Sequence, residues 1–140
     1  MVEVVAGIIV RDGRILLEQR PADKDFPFTW NVPGGGVDKD ESHHDALRRE
    51  LREELGIRTP LIANTAAWSS ELVSDVARPE RRRILFLIYR VTMFMGDPVP
   101  QEGQGLGWFT EEEMRKLTLA PGNQRALEAI CRSAFGREAA

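Results

Sequence analysis

The sequence predicts an α/β fold in which a mixed β-sheet is sandwiched between helices. Apolar, β-branched segments alternate along the chain with amphipathic helical segments, which is the pattern of a layered α/β domain. A glycine-rich run at residues 33–36 stands before the most strongly patterned helix. With 140 residues and 42% hydrophobic content, the chain suits one compact domain spanning residues 1–140.

The first predicted elements are two strands joined by a tight turn. Residues 2–10 are apolar and β-branched, residues 11–14 form the turn, and residues 15–19 are the returning strand of a hairpin. After a polar loop, residues 30–32 predict a short strand. The proline and three glycines at 33–36 disfavour regular structure and let the backbone approach a ligand closely.

A helix is predicted to begin near Ser42 and to end at Gly56. Ser42 is a good N-cap, Asp45 three residues later gives a pair similar to a capping box, and glycine suits a left-handed C-cap. Four apolar residues at helical spacing form one face: Ala46, Leu47, Leu51 and Leu55. We expect burial of this face to hold the helix in place while another side faces a cleft.

The second half of the chain continues the alternation of elements, separated by segments rich in charge, proline or glycine. The predicted elements are a bent strand at 61–72, a charged loop at 75–83, a central strand at 84–95, a loop at 96–107, a short strand at 107–109, a helix at 111–117 capped by Thr110, and an amphipathic helix at 124–135.

Three glutamates of the first helix lie on one face, because Glu50, Glu53 and Glu54 follow the spacing i, i+3, i+4. Like charges so close repel each other, and a folded protein rarely keeps such a cluster without a cation. All the donors are oxygen, so a hard divalent cation is the expected partner. A solvated, charged helix face is the other interpretation of this spacing.

The bulk composition limits the partners. A net charge of −3 and a pI near 5.5 provide no basic field, so duplex nucleic acid is not an expected partner. Cys131 is the single cysteine, which fits a reducing compartment, and its position in an amphipathic helix predicts core packing. The N-terminal apolar run is too short to span a membrane. We expect no membrane partner and a cytoplasmic location.

The segment from Gly35 to Ile57 resembles the Nudix signature, G-x5-E-x7-R-E-U-x-E-E-x-G-U, where U is a bulky aliphatic residue. Every fixed position is filled at the required spacing: Gly35, Glu41, Arg49, Glu50, Leu51, Glu53, Glu54, Gly56 and Ile57. The resemblance to Nudix hydrolases implies an α/β/α sandwich with a mixed sheet. It also implies hydrolysis of a nucleoside diphosphate linked to another group, with Mg²⁺ or Mn²⁺ as cofactor.

The resemblance also assigns roles by position. The implied metal ligands are the carbonyl of Gly35 and the carboxylates of Glu50, Glu53 and Glu54. Arg49 is expected to orient the acidic cluster through charge-assisted hydrogen bonds. Glu41 is expected to stiffen the junction between the loop and the helix.

Three shorter matches are similar to the MutT branch, which removes oxidised guanine nucleotides. Residues 101–104 resemble the stretch that supplies a further glutamate, so Glu102 is expected to be catalytic and to bind metal. Residues 121–123 resemble the stretch whose asparagine reads the purine, so Asn123 is expected to bind the base. Arg20 is similar to the arginine that contacts substrate phosphate.

The chemistry explains why such residues are needed. Metal ions neutralise the phosphate oxygens and lower the pKa of a bound water, and positioning and electrostatics carry most of phosphoryl transfer. A carboxylate of the cluster accepts the proton of the attacking water. Glu54 and Glu102 are the two candidates.

Several residues keep a structural interpretation beside the functional one. Asn123 is equally suited to capping the last helix, and Arg20 to an ordinary surface position. The aromatic residues Phe26, Phe28 and Trp30 suit either stacking on a base or packing. The remaining candidates favour the structural interpretation, which is solvent exposure for His43 and His44 and a charged loop or strand edge for Arg81, Arg82 and Arg83.

The expected reaction converts a (deoxy)nucleoside triphosphate to a monophosphate and pyrophosphate, with oxidised purine nucleotides as candidate substrates. The alternatives are ADP-ribose, a dinucleoside polyphosphate, a pyrimidine triphosphate, capped RNA, or a non-catalytic nucleotide sensor. Leu72 stands where the ADP-ribose branch has proline, and residues 73–75 lack the tyrosine of the dinucleoside polyphosphate branch. The sequence decides neither the base nor whether the protein forms a homodimer.

Overall fold

The computed structural model describes residues 1–73 and 82–136. In chain order, the elements of these residues are β1 Val2–Ile8, β2 Val10–Arg11, β3 Arg14–Gln19, β4 Trp30–Asn31, β5 Gly34–Gly36, α1 His43–Leu55, β6 Arg58–Ile62, β7 Trp68–Val73, β8 Arg83–Met95, β9 Gly105–Phe109, α2 Glu111–Arg115 and α3 Pro121–Phe135.

The strands form two sheets. The first is a mixed sheet of five strands in the order β5-β1-β8-β6, with β7 also paired to β8. In it, β1 runs parallel to β8 and antiparallel to β5. The second sheet has four antiparallel strands, in which β3 pairs with β2, β4 and β9. The predicted α/β fold with a mixed sheet is confirmed.

The longest strand, β8, is central, as predicted, because it pairs with β1 on one edge and with β6 and β7 on the other. The single bent strand predicted at 61–72 is wrong, since two separate strands occupy this segment. Asn64 and Thr65 form bends between them, and asparagine is a weak strand former.

The charged loop predicted at 75–83 lies largely outside the described residues, and so does Arg81. Arg83 begins β8 and pairs with Glu71 at 2.7 Å.

Two predictions for the N-terminal third need correction. The hairpin exists as β2–β3, but the strand predicted at 2–10 divides at Ile9, and β1 joins the other sheet. The glycine run is also regular, because Gly34–Gly36 pairs antiparallel with β1. A Cβ on Gly34 would lie 1.9 Å from the carbonyl oxygen of Val5, so the missing side chain permits this close pairing.

Two of the three C-terminal elements, β9 and α3, begin earlier than predicted. The strand β9 begins at Gly105. The Thr110 cap of α2 is confirmed, with a complete capping box to Glu113, although the helix ends at Arg115. Helix α3 begins at Pro121 and has no side-chain cap, so the interpretation of Asn123 as its cap is wrong. Proline at the first helical position pre-sets the backbone angle that a helix needs.

Helices cover both sides of the sheets with separate apolar clusters. The predicted apolar face of α1 is fully buried, and it packs with Val5, Ile9 and Leu16. On the other side, α2 and α3 pack with Ile8, Leu17 and their neighbours, and the predicted core position of Cys131 is confirmed. No helix among the described residues is long and apolar enough to cross a membrane.

The two histidines at the start of α1 are half-buried, so their expected solvent exposure is wrong. His43 Nδ1 lies 3.2 Å from the hydroxyl of Tyr89, and its Nε2 lies 3.5 Å from a carboxylate oxygen of Glu3. The ring of His44 packs edge-on against the Tyr89 ring. Tyr89 comes from β8, so both histidines help to attach the helix to the first sheet.

Candidate active site

Helix α1 is fixed at both ends. Ser42 Oγ accepts a hydrogen bond from Asp45 N at 3.1 Å, and Gly56 ends the helix in the left-handed region at φ 70°. The leucine face is buried between these caps, so the position of each carboxylate on the other faces follows from the helical spacing. The predicted N-cap, apolar face and C-cap of this helix are all confirmed.

Arg49 organises the acidic residues around the helix. Its guanidinium group donates two hydrogen bonds to the carboxylate of Glu41, at 2.9 and 3.0 Å, and one each to Glu50 at 3.0 Å and Glu53 at 3.3 Å. It also donates to the carbonyl oxygen of Gly36 at 2.9 Å. These contacts lower the pKa of Glu41 and raise that of Arg49, so both groups remain charged.

Glu41 also ties down the loop before the helix. Its Oε1 accepts a hydrogen bond from the backbone N–H of Asp38 at 3.1 Å. The carboxylate therefore joins the loop at residue 38 to Arg49 in the middle of α1. This geometry fits a stiffening role at the junction between the loop and the helix.

Glu50 lies directly against the backbone of β5, which we call the glycine strand because it consists of Gly34–Gly36. A Cβ built on Gly35 would come within 2.3 Å of its carboxylate. The Glu50 side chain is only 15% exposed, and burial raises its pKa, while Arg49 opposes that rise. Only glycine at position 35 allows the Glu50 carboxylate and this strand to lie so close together.

Glu54 extends from α1 into an active-site cleft. Its Oε2 atom is buried and has no hydrogen-bond partner. Burial, together with the nearby carboxylates of Glu18, Glu50 and Glu102, raises the pKa of Glu54 to about 9, and the backbone N–H of Gly34 opposes this rise. An unpaired buried oxygen on a carboxylate that lies among other carboxylates remains costly unless a cation or a proton is supplied.

The loop that carries Glu102 is bound to the C-terminal end of α1. The carbonyl oxygen of Glu54 accepts from Gln101 N at 2.9 Å and from Gln104 Nε2 at 3.1 Å. Gln104 Oε1 in turn accepts from the backbone N–H of Glu102 at 2.8 Å. The structure therefore brings Glu102, whose side chain is exposed, to the same cleft as Glu54.

The active-site cleft has a volume of about 710 Å³ and carries both signs of charge. Its lining includes Glu18, Arg20, Lys24, Asn31, Glu54 and Glu102. A lining that has both basic groups and carboxylates is suited to a ligand with a polyanionic chain that binds cations.

Sequence reasoning missed Glu18. This residue is 9% exposed, and burial raises its pKa to about 7 although the Asn31 side chain opposes the shift. In the sequence, Glu18 lies at the end of a predicted strand, after a run of apolar residues. Strand alternation places Glu18 on the same face as Leu16, so a carboxylate on an otherwise apolar face was the signal that could have identified it.

Arg20 lies between the active-site cleft and a second, smaller cavity. Its Nε donates to the carbonyl oxygen of Asp25 at 2.5 Å. The second cavity, about 250 Å³, is lined by Arg20, Phe26, Leu72, Gly122, Arg125 and neighbouring atoms. We call it the apolar slot. Phe28 is 61% exposed, whereas Trp30 packs edge-on against Phe109.

Asn123 is among the lining residues of neither cavity. The residue is 5% exposed, and its Oδ1 accepts a hydrogen bond from the backbone N–H of Val32 at 2.9 Å. This bond joins α3 to the segment that leads into the glycine strand. A role for Asn123 in binding the base stays a prediction.

The donor set fits a hard divalent cation, because it consists of carboxylate and carbonyl oxygens with one buried carboxylate oxygen unpaired. Within residues 1–73 and 82–136, however, no group of three or more His, Cys, Asp or Glu side chains is arranged so that it could hold a metal ion. Arg49 binds Glu50 and Glu53, while Glu54 and Glu102 face the cleft. The predicted ligands are therefore neighbours that have not converged on one point.

Comparison with known proteins identifies relatives over nearly the whole chain. The family model described as the NUDIX domain matches residues 1–130. A CTP pyrophosphohydrolase of Escherichia coli strain K12 is 44% identical over 131 residues, which are 93% of this chain and 91% of that protein. An 8-oxo-dGTP diphosphatase of Haemophilus influenzae is 32% identical over 132 residues, with 93% and 91% covered.

Solved structures agree with these relatives. The solution structure of the E. coli ORF135 protein matches with a TM-score of 0.81 and 41% identity, covering 100% of this chain and 95% of that one. The crystal structure of a MutT NUDIX hydrolase from Burkholderia pseudomallei matches with a TM-score of 0.77 and 31% identity, covering 91% and 96%. Both matches extend well beyond the glycine strand and α1.

Proposed function

This chain belongs to the Nudix family of pyrophosphohydrolases, and on that premise we propose that its substrate is a nucleoside triphosphate, which it hydrolyses to a monophosphate and pyrophosphate with Mg²⁺. One observation supports the proposal most directly. The helix α1 presents Glu54 to a cleft lined by both basic and acidic groups, with a buried carboxylate oxygen that lacks a partner. A polyanionic substrate accompanied by a dication supplies what this arrangement lacks.

The proposed metal ligands are the Gly35 carbonyl and the carboxylates of Glu50, Glu53, Glu54 and Glu102. When bound, a divalent cation neutralises phosphate oxygens and makes a water more acidic. Arg49 keeps Glu50 and Glu53 in orientation through its hydrogen bonds. Mn²⁺ has similar ligand preferences and is expected to replace Mg²⁺.

The proposed general base is Glu54 or Glu102, which would accept the proton of the attacking water. Glu54 is the more buried of the two, and its raised pKa gives it proton affinity when no cation is present. Glu102 is exposed and stands on a loop held by the end of α1. Removal of either carboxylate is expected to lower kcat more than it weakens nucleotide binding.

Arg20 supports a specific orientation of the substrate. Because Arg20 lines both cavities, phosphates in the active-site cleft would contact its guanidinium group while the base extends towards the apolar slot. The slot offers the ring of Phe26, which is 38% exposed, and the side chain of Leu72. These apolar surfaces suit a flat base. Asn123 does not line the slot, but it directly follows Gly122, which does.

Two substrate classes follow from the comparisons. Oxidised purine nucleotides are the first candidate, and the similarity to an 8-oxo-dGTP diphosphatase supports it. Pyrimidine triphosphates are the second, and the 44% identity to a CTP pyrophosphohydrolase favours them. We also propose that the chain forms one domain over residues 1–140 and acts in the cytoplasm, where its single free cysteine would stay reduced.

Pyrophosphate release from a panel of normal and oxidised nucleoside triphosphates tests this function. Activity is expected with Mg²⁺ or Mn²⁺ and not with a chelator. Glu53→Gln and Glu54→Gln are expected to remove most turnover while circular dichroism stays unchanged. Glu71→Gln is the matched control, because it removes one carboxylate from an exposed pair with Arg83. Full turnover by both Glu53→Gln and Glu54→Gln would refute the proposed metal ligands.

A further inference from the structure

Glu18 is a carboxylate outside the Nudix signature that the fold brings to the active-site cleft. It lies in β3 directly opposite Asn31 of β4. Strand alternation places it on the same face as Leu16, which packs in the apolar cluster of α1. The side chain therefore points towards the helix that carries Glu54, and it lines the same cleft as Glu54.

The carboxylate of Glu18 is only partly satisfied. Asn31 Nδ2 donates to Glu18 Oε1 at 3.1 Å, whereas the buried Glu18 Oε2 has no partner within hydrogen-bond distance among the described residues. The Gln104 side chain lies near enough to help Asn31 lower the pKa of this carboxyl, but burial outweighs both. The residue as a whole is 9% exposed. Native proteins seldom bury a carboxylate oxygen without a hydrogen bond or a charge partner, because desolvation of the charged group is costly. The unpaired oxygen thus points to a group that arrives with the ligand.

The atoms around Glu18 Oε2 indicate the chemical class of the ligand group that binds there. Three buried oxygen atoms without a partner belong to the lining of this cleft: Glu18 Oε2, Asn31 Oδ1 and Glu54 Oε2. The two carboxylate oxygens can only accept when ionised. Among the described residues, no Lys or Arg is hydrogen-bonded to Glu18 or ion-paired with it, although the charge of Arg20 in the same cleft lowers the pKa of Glu18 slightly. A site made of oxygen acceptors is suited to a hard cation.

We propose that Glu18 is a further ligand of the divalent cations at this active site, acting on the cleft side together with Glu54. The inference rests on the proposed function and deepens it. Glu50 and Glu53 are bound to Arg49, whereas Glu18 and Glu54 form no ion pair with any residue of 1–73 and 82–136.

Mn²⁺ titration of the substrate-free protein, with free Mn²⁺ measured by electron paramagnetic resonance, tests this role without reference to turnover. Glu18→Gln keeps the side-chain volume and an oxygen that accepts from Asn31, but it removes the charge. We expect it to lose a bound ion or to weaken the Kd for Mn²⁺ at least about tenfold. Glu18→Asp, which keeps the charge, is expected to retain more of the affinity.

Glu71→Gln again serves as the control for removal of one negative charge and is expected to bind Mn²⁺ like the wild type. Thermal unfolding in a chelator establishes that each variant is folded. Wild-type Mn²⁺ binding by Glu18→Gln would overturn the inference. The same holds if this variant changes nucleotide preference without changing Mn²⁺ binding, because Glu18 would then read the base.

The two proposals fail separately. If Glu54→Gln loses both Mn²⁺ affinity and turnover while Glu18→Gln binds Mn²⁺ normally, the proposed function stands and the role of Glu18 falls. If the wild type releases no pyrophosphate from any triphosphate of the panel with Mg²⁺ or Mn²⁺, the proposed function fails. If Glu54→Gln keeps full turnover and Mn²⁺ affinity, the activity stands, but the cleft-side metal site that Glu18 and Glu54 are proposed to share falls.

Discussion

Arg49 binds Glu41 through two parallel hydrogen bonds, from Nε to Oε2 at 2.9 Å and from Nη2 to Oε1 at 3.0 Å. The planar guanidinium group matches the carboxylate, and this geometry leaves Nη1 free to contact Glu50 and Glu53. One side chain thus connects the loop before α1 with two carboxylates of the helix. A lysine has no fork of donors and cannot make this set of contacts.

Arg49→Lys is therefore expected to lower kcat/KM by roughly 10- to 100-fold, because charge-assisted hydrogen bonds contribute about 1.5–3 kcal/mol each. The protein should remain folded, since Arg49 is not part of either apolar cluster. Steady-state kinetics with the best nucleotide of the panel measures the effect. The control is Arg83→Lys, which alters a surface pair with Glu71. Equal rates for both variants would show that the bidentate geometry is irrelevant.

The three consecutive glycines of β5 are expected to respond differently to alanine. In Gly35→Ala, the new Cβ meets the carboxylate of Glu50, a movable side-chain end, so we expect activity to fall at least about tenfold with little loss of stability. In Gly34→Ala, the Cβ meets backbone of β1 and should destabilise the fold strongly. Gly36→Ala meets no atom within 4 Å and should be neutral.

Turnover and thermal unfolding of the three alanine variants give the comparison. Activity near wild type in Gly35→Ala would show that the contact between Glu50 and the glycine strand is not needed. A loss of stability as large as that of Gly34→Ala would instead assign Gly35 to folding.

The metal-free protein is expected to lose stability as the pH rises. In the folded state, burial raises the pKa of Glu18 to about 7 and that of Glu54 to about 9, from an ordinary value of 4.5. Between the ordinary pKa and the folded-state pKa of each group, the folded state binds more protons than the unfolded state. The free energy of unfolding therefore decreases with rising pH. The loss begins above about pH 4.5 and is complete once the pH exceeds the folded-state pKa values.

Thermal unfolding in a chelator between pH 5 and pH 9 measures this loss, which we expect to lower Tm by several degrees, at about 2–8 °C per kcal/mol for domains of this size range. Glu18→Gln should show a shallower decrease, because one of the two groups no longer titrates. Mg²⁺ should restore stability mostly at the high-pH end, where the carboxylates are ionised. A Tm that rises from pH 5 to pH 9 in the chelator would contradict the raised pKa values.

The sequence predicted the parts of this molecule that local chemistry determines. Ser42, the leucine face and Gly56 each encode one feature of α1 within a few residues, and all three predictions are confirmed. The pairing of glycines 34–36 with β1 could not be foreseen in this way. It depends on the distant contact between Gly34 and the Val5 backbone, so the local preference of glycine was misleading.

The residues of the active-site cleft show the same limit of prediction from local sequence. Glu102 could be expected there from a short match, but Glu18 enters it only because β3 pairs with β4 and faces α1. Strand alternation places Glu18 on the face of Leu16, but the local sequence does not show that this face is still covered at the end of the strand. The hydrogen bond from Val32 to Asn123 likewise spans 91 positions of the chain, and it depends on how α3 packs.

Asn123 allows structural and ligand-binding roles to be separated. Its Oδ1 accepts from Val32 N inside the protein, so Asn123→Ala leaves a buried N–H unpaired and should cost about 1–3 kcal/mol of stability. Asn123→Asp keeps an acceptor for Val32 but replaces the amide nitrogen by oxygen. If Asn123 reads the base through that nitrogen, the aspartate variant should change the ratio of kcat/KM between purine and pyrimidine triphosphates.

The aspartate variant should at the same time unfold closer to the wild-type temperature than Asn123→Ala does. Thermal unfolding and kinetics on both variants supply the two readouts. An unchanged nucleotide preference in Asn123→Asp, together with a lowered Tm in Asn123→Ala, would restrict Asn123 to joining α3 to Val32. The base would then be recognised elsewhere, and the apolar slot next to Arg20 would be the next place to mutate.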